Sequence, residues 1–129
     1  MDLLPGSCWG TNSRETAVNI REAAFYYLEW AILKRCLAYC PDSHYGATVT
    51  PREEWMEILA EWNSLKERLF KAAIPIQMWM PTRIPLDAKI TFLTEFPRNR
   101  KFLICLIEQI SEWVRDTLAD WEEISMCGI

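Results

Sequence analysis

The side chains best suited to chemistry in this sequence are its single histidine and its five cysteines. Cys36, Cys40 and His44 follow one another at intervals of four, so on a continuous helix they would share one face and could hold a metal ion. Pro41 interrupts that helix, and a fourth ligand is missing. A Cys–His nucleophile would also need an orienting acid, and Asp42 is the one that lies nearby. We therefore predict semi-buried thiols and a surface imidazole, with no metal site and no catalytic residues.

Charged clusters give no stronger sign of catalysis. The acidic cluster consists of Asp116, Asp120, Glu122 and Glu123. Acids in this arrangement are typical of a solvated helix face. The basic cluster consists of Arg98, Arg100 and Lys101. It would either be solvated or contact an acidic partner or a membrane surface. Because the glycines, at positions 6, 10, 46 and 128, lie too far apart for a phosphate-binding loop, we expect neither enzymatic activity nor a cofactor.

The overall composition limits the classes of protein to consider. A chain of 129 residues, half of them hydrophobic, is predicted to form one helical domain over residues 1–129. Its 18 acidic and 14 basic residues give a net charge of −4, which argues against nucleic acid as a partner. We find no secretory signal, and no run approaches the roughly 18 apolar residues of a membrane span. With an odd number of cysteines, these features predict an intracellular protein with reduced thiols.

Apolar residues at intervals of three and four predict helices in the first half of the chain. After an irregular lead-in at residues 1–11, a first helix is predicted from Asn12 to about Tyr39, and Pro41 ends it. A second helix is predicted to begin at Thr50 and Pro51, a capping residue followed by a proline suited to the first helical position. Its apolar face comprises Trp55, Ile58, Leu59, Trp62, Leu65 and Leu69.

The second half is predicted to contain a proline-rich connector and two further helices. Three prolines in residues 74–86 forbid a long helix, and the apolar residues around them predict an ordered connector that packs on the core or lines a groove. Asp87 is predicted to cap a short helix. Pro97 either breaks that helix or opens the last one, over residues 98–124. Because no strand-like alternation is found, we predict an all-α fold, a compact multi-helix bundle.

Two segments resemble the Bcl-2 (B-cell lymphoma-2) family of apoptosis regulators. Lys89-Ile90-Thr91-Phe92-Leu93-Thr94-Glu95-Phe96 is similar to the part of the family's first homology motif that follows its Asn-Trp-Gly-Arg opening. Residues 110–121 look like the helix that leads into the second motif. Lys89 stands where the family has an arginine, which keeps the charge and loses the two-pronged geometry. The resemblance implies a Bcl-2-like bundle with a central helix in the C-terminal half. It would suit a compact and divergent member of the family, and such a member could be viral.

The resemblance also implies a function. The protein would bind the amphipathic helix of a pro-apoptotic protein in an apolar groove and so inhibit cell death, in the cytoplasm or at the periphery of mitochondria. The groove would be lined by Trp62, Leu65, Leu69, Met78, Met80, Phe92 and Phe96. Lys89 would pair with an acidic residue of the ligand.

An alternative function follows from the seven tryptophans. A small domain buries so many large side chains with difficulty. We therefore also consider a self-associating structural or adaptor protein, a homodimer without a peptide groove. Both functions could coexist if the dimer borders the groove. A small enzyme or metal protein is a third alternative.

Overall fold

The computed structural model describes residues 1–7, 16–41, 46–72 and 84–128. Within these ranges the chain forms four strands and five helices. The strands are β1 (Asp2–Pro5), β2 (Val18–Asn19), β3 (Ala47–Pro51) and β4 (Glu123–Cys127). The helices are α1 (Glu22–Phe25), α2 (Glu29–Arg35), α3 (Arg52–Lys71), α4 (Leu86–Thr94) and α5 (Phe96–Asp120). None of these helices combines the length and the apolar character that crossing a bilayer requires.

The strands form one antiparallel sheet in the order β2-β1-β4-β3. Leu3 lies opposite Met126, and Thr50 lies opposite Ile124. All four side chains are buried, so this face of the sheet packs against the helices. The prediction of an all-α bundle is therefore wrong: the fold is mixed α/β.

The strands lie in segments whose local sequence pattern predicts an irregular segment or a helix. β1 lies within the predicted irregular lead-in, and β2 lies within the predicted first helix. β4 falls at the end of the predicted last helix, because Ile124 comes three residues after Trp121 and continues its helical spacing. The strands are short, and the partners β1 and β4 are more than 110 residues apart in sequence. Pairing over such a distance leaves no local signal.

The two long helices agree best with their predictions. α3 is confirmed, and the whole apolar face predicted for it is buried. Its start differs in detail, since Thr50 belongs to β3 and gives no side-chain cap. α5 is confirmed as well, with Pro97 in its first turn, where a proline needs no hydrogen-bond donor. The predicted first helix is wrong, because residues 16–41 form β2 and two short helices instead.

α3 and α5 form the main layer above the sheet. α3 follows β3 and α5 leads into β4, so the two helices run antiparallel. At their far ends the Arg100 guanidinium donates a hydrogen bond to the Ala72 carbonyl. α5 buries one side and exposes another, which includes Lys101, Cys105 and Glu108. α5 is therefore not the enclosed central helix that the Bcl-2 resemblance implies.

Tryptophans join the layers of this fold through their indole N–H groups. Trp55 donates to the Ile124 carbonyl (3.2 Å), which attaches α3 to β4. Trp62 donates to the Leu28 carbonyl at 3.0 Å, at the start of α2. Both side chains are fully buried. These two residues of the aromatic excess therefore hold the core together.

Candidate functional site

The candidate site is a surface pocket of about 470 Å³ between α1, α4 and the start of α5. Its lining comprises Arg21, Ala23, Ala24, Tyr27, Asp87, Ala88, Thr91, Phe92, Asn99 and Phe102. Five of the ten are exposed and two are buried, so the pocket has an apolar floor and a wide mouth. A volume of this size is within the range of ligand-binding sites.

Two aromatic rings form the floor. Tyr27 and Phe92 are both buried, with ring centroids 4.8 Å apart and an interplanar angle of 33°. The Tyr27 hydroxyl donates a hydrogen bond to the Ala88 carbonyl (3.1 Å), which connects the end of α1 to α4. Burial raises the pKa of the Tyr27 hydroxyl, so it stays protonated and keeps this bond at neutral pH. Because the two rings cover part of each other's faces, the floor suits an apolar group better than a cation.

Asn99 fixes the junction between α4 and α5 at one side of the pocket. Its side-chain nitrogen donates to the carbonyls of Thr91 (3.3 Å) and Phe92 (3.2 Å). These carbonyls lie in the last turn of α4, where a helix lacks partners for its C=O groups. The ring of Phe96 also contacts Phe92 at a centroid distance of 6.0 Å. The α4 wall is therefore held against α5 by polar and apolar contacts.

Phe102 forms the remaining wall and is 64% exposed. On the helical wheel of α5 it lies away from the buried stripe of Leu103, Ile107 and Ile110. Nothing in the core requires an aromatic ring at this position. An exposed phenylalanine at the edge of an apolar pocket indicates a binding surface.

Two charges of opposite sign line the pocket from different helices. Arg21 is the residue before α1, and Asp87 lies in the first turn of α4. Both are exposed, and neither forms an ion pair with another described residue. The described residues that line the pocket include no cysteine or histidine.

The residues predicted for a groove lie mostly in the core. Trp62, Leu65, Leu69 and Phe96 are buried and do not line the pocket. Phe92 does line it. Lys89 is half-buried on α4, outside the pocket lining. Met78 and Met80 lie outside the described residues.

Most residues of the pocket gave no signal in the sequence. Arg21, Tyr27 and Asn99 fell on predicted helix faces that gave no sign of a site. A signal was available for Phe102, because it is a large apolar residue off the buried stripe of its helix. The pocket as a whole depends on how α1 packs against α4, and no local pattern reports that packing.

The thiols form no second site in the described part of the chain. Cys36 is buried, and its sulfur lies 3.3 Å from the Thr50 hydroxyl oxygen. Burial raises the pKa of this thiol, which keeps it protonated and makes it a poor nucleophile. Cys40 is exposed, and His44 lies outside the described residues. No group of three or more potential metal ligands occurs within the described ranges.

An ion-pair cluster between α2 and α3 has a structural role. The Glu61 carboxylate accepts from the Lys34 ammonium (2.7 Å) and from the Arg35 guanidinium (Nε, 2.9 Å). The hydrogen bonds from Lys34 and Arg35 lower the pKa of Glu61. Arg35 also contacts Glu57 at 3.2 Å. These contacts hold α2 on the outside of α3, away from the pocket.

The chain was compared with protein families, curated proteins and solved structures. No family model, no curated protein and no solved structure matches it.

Proposed function

We propose that this protein is a protein-interaction module that binds an amphipathic helix of a partner. The pocket between α1, α4 and α5 receives an apolar side chain of that helix. The observation that carries the proposal is the open apolar pocket with the exposed Phe102 ring at its edge. Helix-in-groove binding uses such a surface: an apolar anchor enters a pocket, and neighbouring residues cover its rim.

The energetics of the pocket are consistent with such an anchor. Covering the exposed part of Phe102 would contribute roughly 1–2 kcal/mol, since full burial of a phenylalanine is worth about 1.5–3 kcal/mol. The anchor adds a similar contribution from its own burial. The floor is preformed by Tyr27 and Phe92, so little ordering is needed on the protein's side.

The Bcl-2 resemblance makes a narrower form of this proposal. On that basis the partner is a pro-apoptotic helix, and its capture inhibits cell death. The support is the similarity of residues 89–96 and 110–121 to the family's motifs, and Phe92 belongs both to this similarity and to the pocket. The mixed α/β fold gives the narrower form no support.

Self-association is the second candidate, and the outer face of α4 favours it. Leu86, Ile90 and Leu93 lie on one side of this helix and are 73%, 57% and 39% exposed. Residues at this spacing form a continuous apolar stripe. A second copy of the chain would cover such a stripe in a homodimer.

Calorimetric titration tests the proposed function. The titrants are pro-apoptotic helix peptides and a designed 16-residue amphipathic helix with a central tryptophan. Ala23→Trp fills the mouth of the pocket from α1, and Ala60→Trp is its control, since both alanines are exposed on helices and Ala60 lies on α3 outside the pocket. We expect A23W to weaken binding at least tenfold and A60W to leave it unchanged.

Two results would reject the proposal: no peptide binds, or A23W binds as well as A60W. Binding of the designed helix without binding of the pro-apoptotic peptides would reject the narrower form alone. Light scattering addresses the second candidate. A monomer at high concentration would exclude the homodimer, and a dimer that Leu86→Ser and Ile90→Ser dissociate would support it.

A further inference from the structure

We infer that Arg21 and Asp87 set the direction in which the partner helix crosses the pocket. An acidic residue of the helix lies toward α1, and a basic residue lies toward α4. This inference rests on the proposed function and adds the charge pattern of the partner.

The pocket lies between Arg21 on the α1 side and Asp87 on the α4 side, and both line it. They do not form an ion pair with each other, so each remains available to a ligand. A partner helix that anchors in the pocket passes between a cation on one side and an anion on the other.

Neighbouring charges do not cancel this pattern. Glu22 follows Arg21, but it does not line the pocket, and its carboxylate accepts a hydrogen bond from the Tyr26 hydroxyl at 2.6 Å. Arg98 lies one turn before Phe102 on α5, and it forms an ion pair with Glu95 at 3.1 Å. Among the described residues that line the pocket, Arg21 and Asp87 are the two that carry a charge.

The occupant follows from this complementarity. A helix with an apolar anchor, an acid about one turn to one side of it and a base about one turn to the other matches both walls in one direction. In the reverse direction it places like charges together, which is unfavourable. Each exposed pair changes affinity by about two- to fivefold. Two pairs together are enough to select one direction.

The test uses two designed 16-residue helices with a central tryptophan. The first carries glutamate four residues before the tryptophan and lysine four residues after it, and the second carries the two charges exchanged. Each peptide has a nitroxide spin label at its N-terminus and is added to ¹⁵N-labelled protein. We expect the label on the first peptide to broaden amide signals of α1 more strongly, and the label on the second to broaden those of α4 more strongly.

A double-mutant cycle gives an independent readout. Arg21→Gln should weaken the first peptide about two- to fivefold, and the loss should disappear when the peptide's glutamate is replaced by glutamine. Asp87→Asn should weaken binding of the first peptide to a similar extent, and this loss should disappear when the peptide's lysine is replaced by an uncharged residue. Circular dichroism confirms that the variants are folded.

The outcomes separate the two levels of the proposal. One outcome is that both peptides bind and A23W prevents binding, while both labels broaden amide signals of the same helix. In that case the inference is wrong and the proposed function stands. If neither peptide binds, or A23W has no effect, both are wrong. A coupling energy of zero in both double-mutant cycles, that of Arg21 and that of Asp87, would also overturn the inference.

Discussion

Replacing Trp62 with phenylalanine removes the indole N–H that joins α3 to the start of α2. The side chain is fully buried, and its nitrogen donates to the Leu28 carbonyl at 3.0 Å. Its ring also meets the Trp55 ring edge to face, with centroids 6.0 Å apart. A phenylalanine keeps part of this ring contact and loses the hydrogen bond. The perturbation therefore removes one bond and a small volume from the core.

The magnitude follows from two contributions. The Leu28 carbonyl also accepts from the Ala31 N–H at 3.2 Å, so it keeps one partner after the substitution. The lost bond should then cost its ordinary net value of about 1 kcal/mol. The missing ring leaves a cavity of roughly 40 Å³, which adds about 1 kcal/mol. We expect Trp62→Phe to lower the free energy of unfolding by about 2 kcal/mol.

Urea unfolding followed by far-ultraviolet circular dichroism measures this loss, with Trp113→Phe as the matched control. Trp113 also donates its indole N–H to a backbone carbonyl, that of Thr16 at 3.1 Å, but this bond is exposed. Water can replace the lost donor there, so the control should cost less than about 1 kcal/mol. Equal losses in the two variants would refute the assignment of Trp62 to the core. So would a Trp62→Phe variant that loses peptide affinity and keeps its stability.

Three further predictions concern other parts of the fold. Gly6→Ala should destabilise the protein by about 1–2 kcal/mol. Gly6 has a φ of 67°, and an added methyl group would lie 2.6 Å from the Trp121 ring. An unchanged urea unfolding curve would contradict this prediction. Glu61 has a lowered pKa in the folded state, so its contribution to stability is present above its usual pKa of 4.5 and is lost as the pH falls through the folded value. The stability difference between the wild type and Glu61→Gln should therefore shrink from pH 7 to pH 3, and a difference independent of pH would oppose the assignment. In the native protein, iodoacetamide should modify the buried Cys36 far more slowly than the exposed Cys105; equal rates by mass spectrometry would show that Cys36 is accessible.

The helices with strong periodicity could be predicted from the sequence, and the sheet could not. The apolar face predicted for α3 has six residues at regular helical spacing, and the structure buries all six. β4 alternates the apolar Ile124 and Met126 with the polar Ser125, but it follows α5 closely and continues that helix's apolar stripe. Strand pairing depends on residues brought together from both ends of the chain. Local periodicity contains no information about such pairing.

The site was even less accessible to sequence reasoning. The predicted groove residues were chosen because they are large and apolar, and this property also places residues such as Trp62 and Leu69 in the core. The pocket instead combines small residues, such as Ala23 and Ala88, with rings at its floor and edge. Small residues leave the space that a ligand needs, and they form no recognisable sequence motif. Their role becomes visible once α1 and α4 are placed side by side.

The central claim is that the pocket between α1, α4 and α5 binds an apolar anchor of a partner helix. Amide chemical-shift mapping of the ¹⁵N-labelled protein with the designed tryptophan-anchored helix tests it most directly. We predict that the largest shifts fall on Ala23, Ala24, Thr91, Asn99 and Phe102, and that A23W abolishes them. Shifts confined to other surfaces, such as the outer face of α4, would contradict the claim.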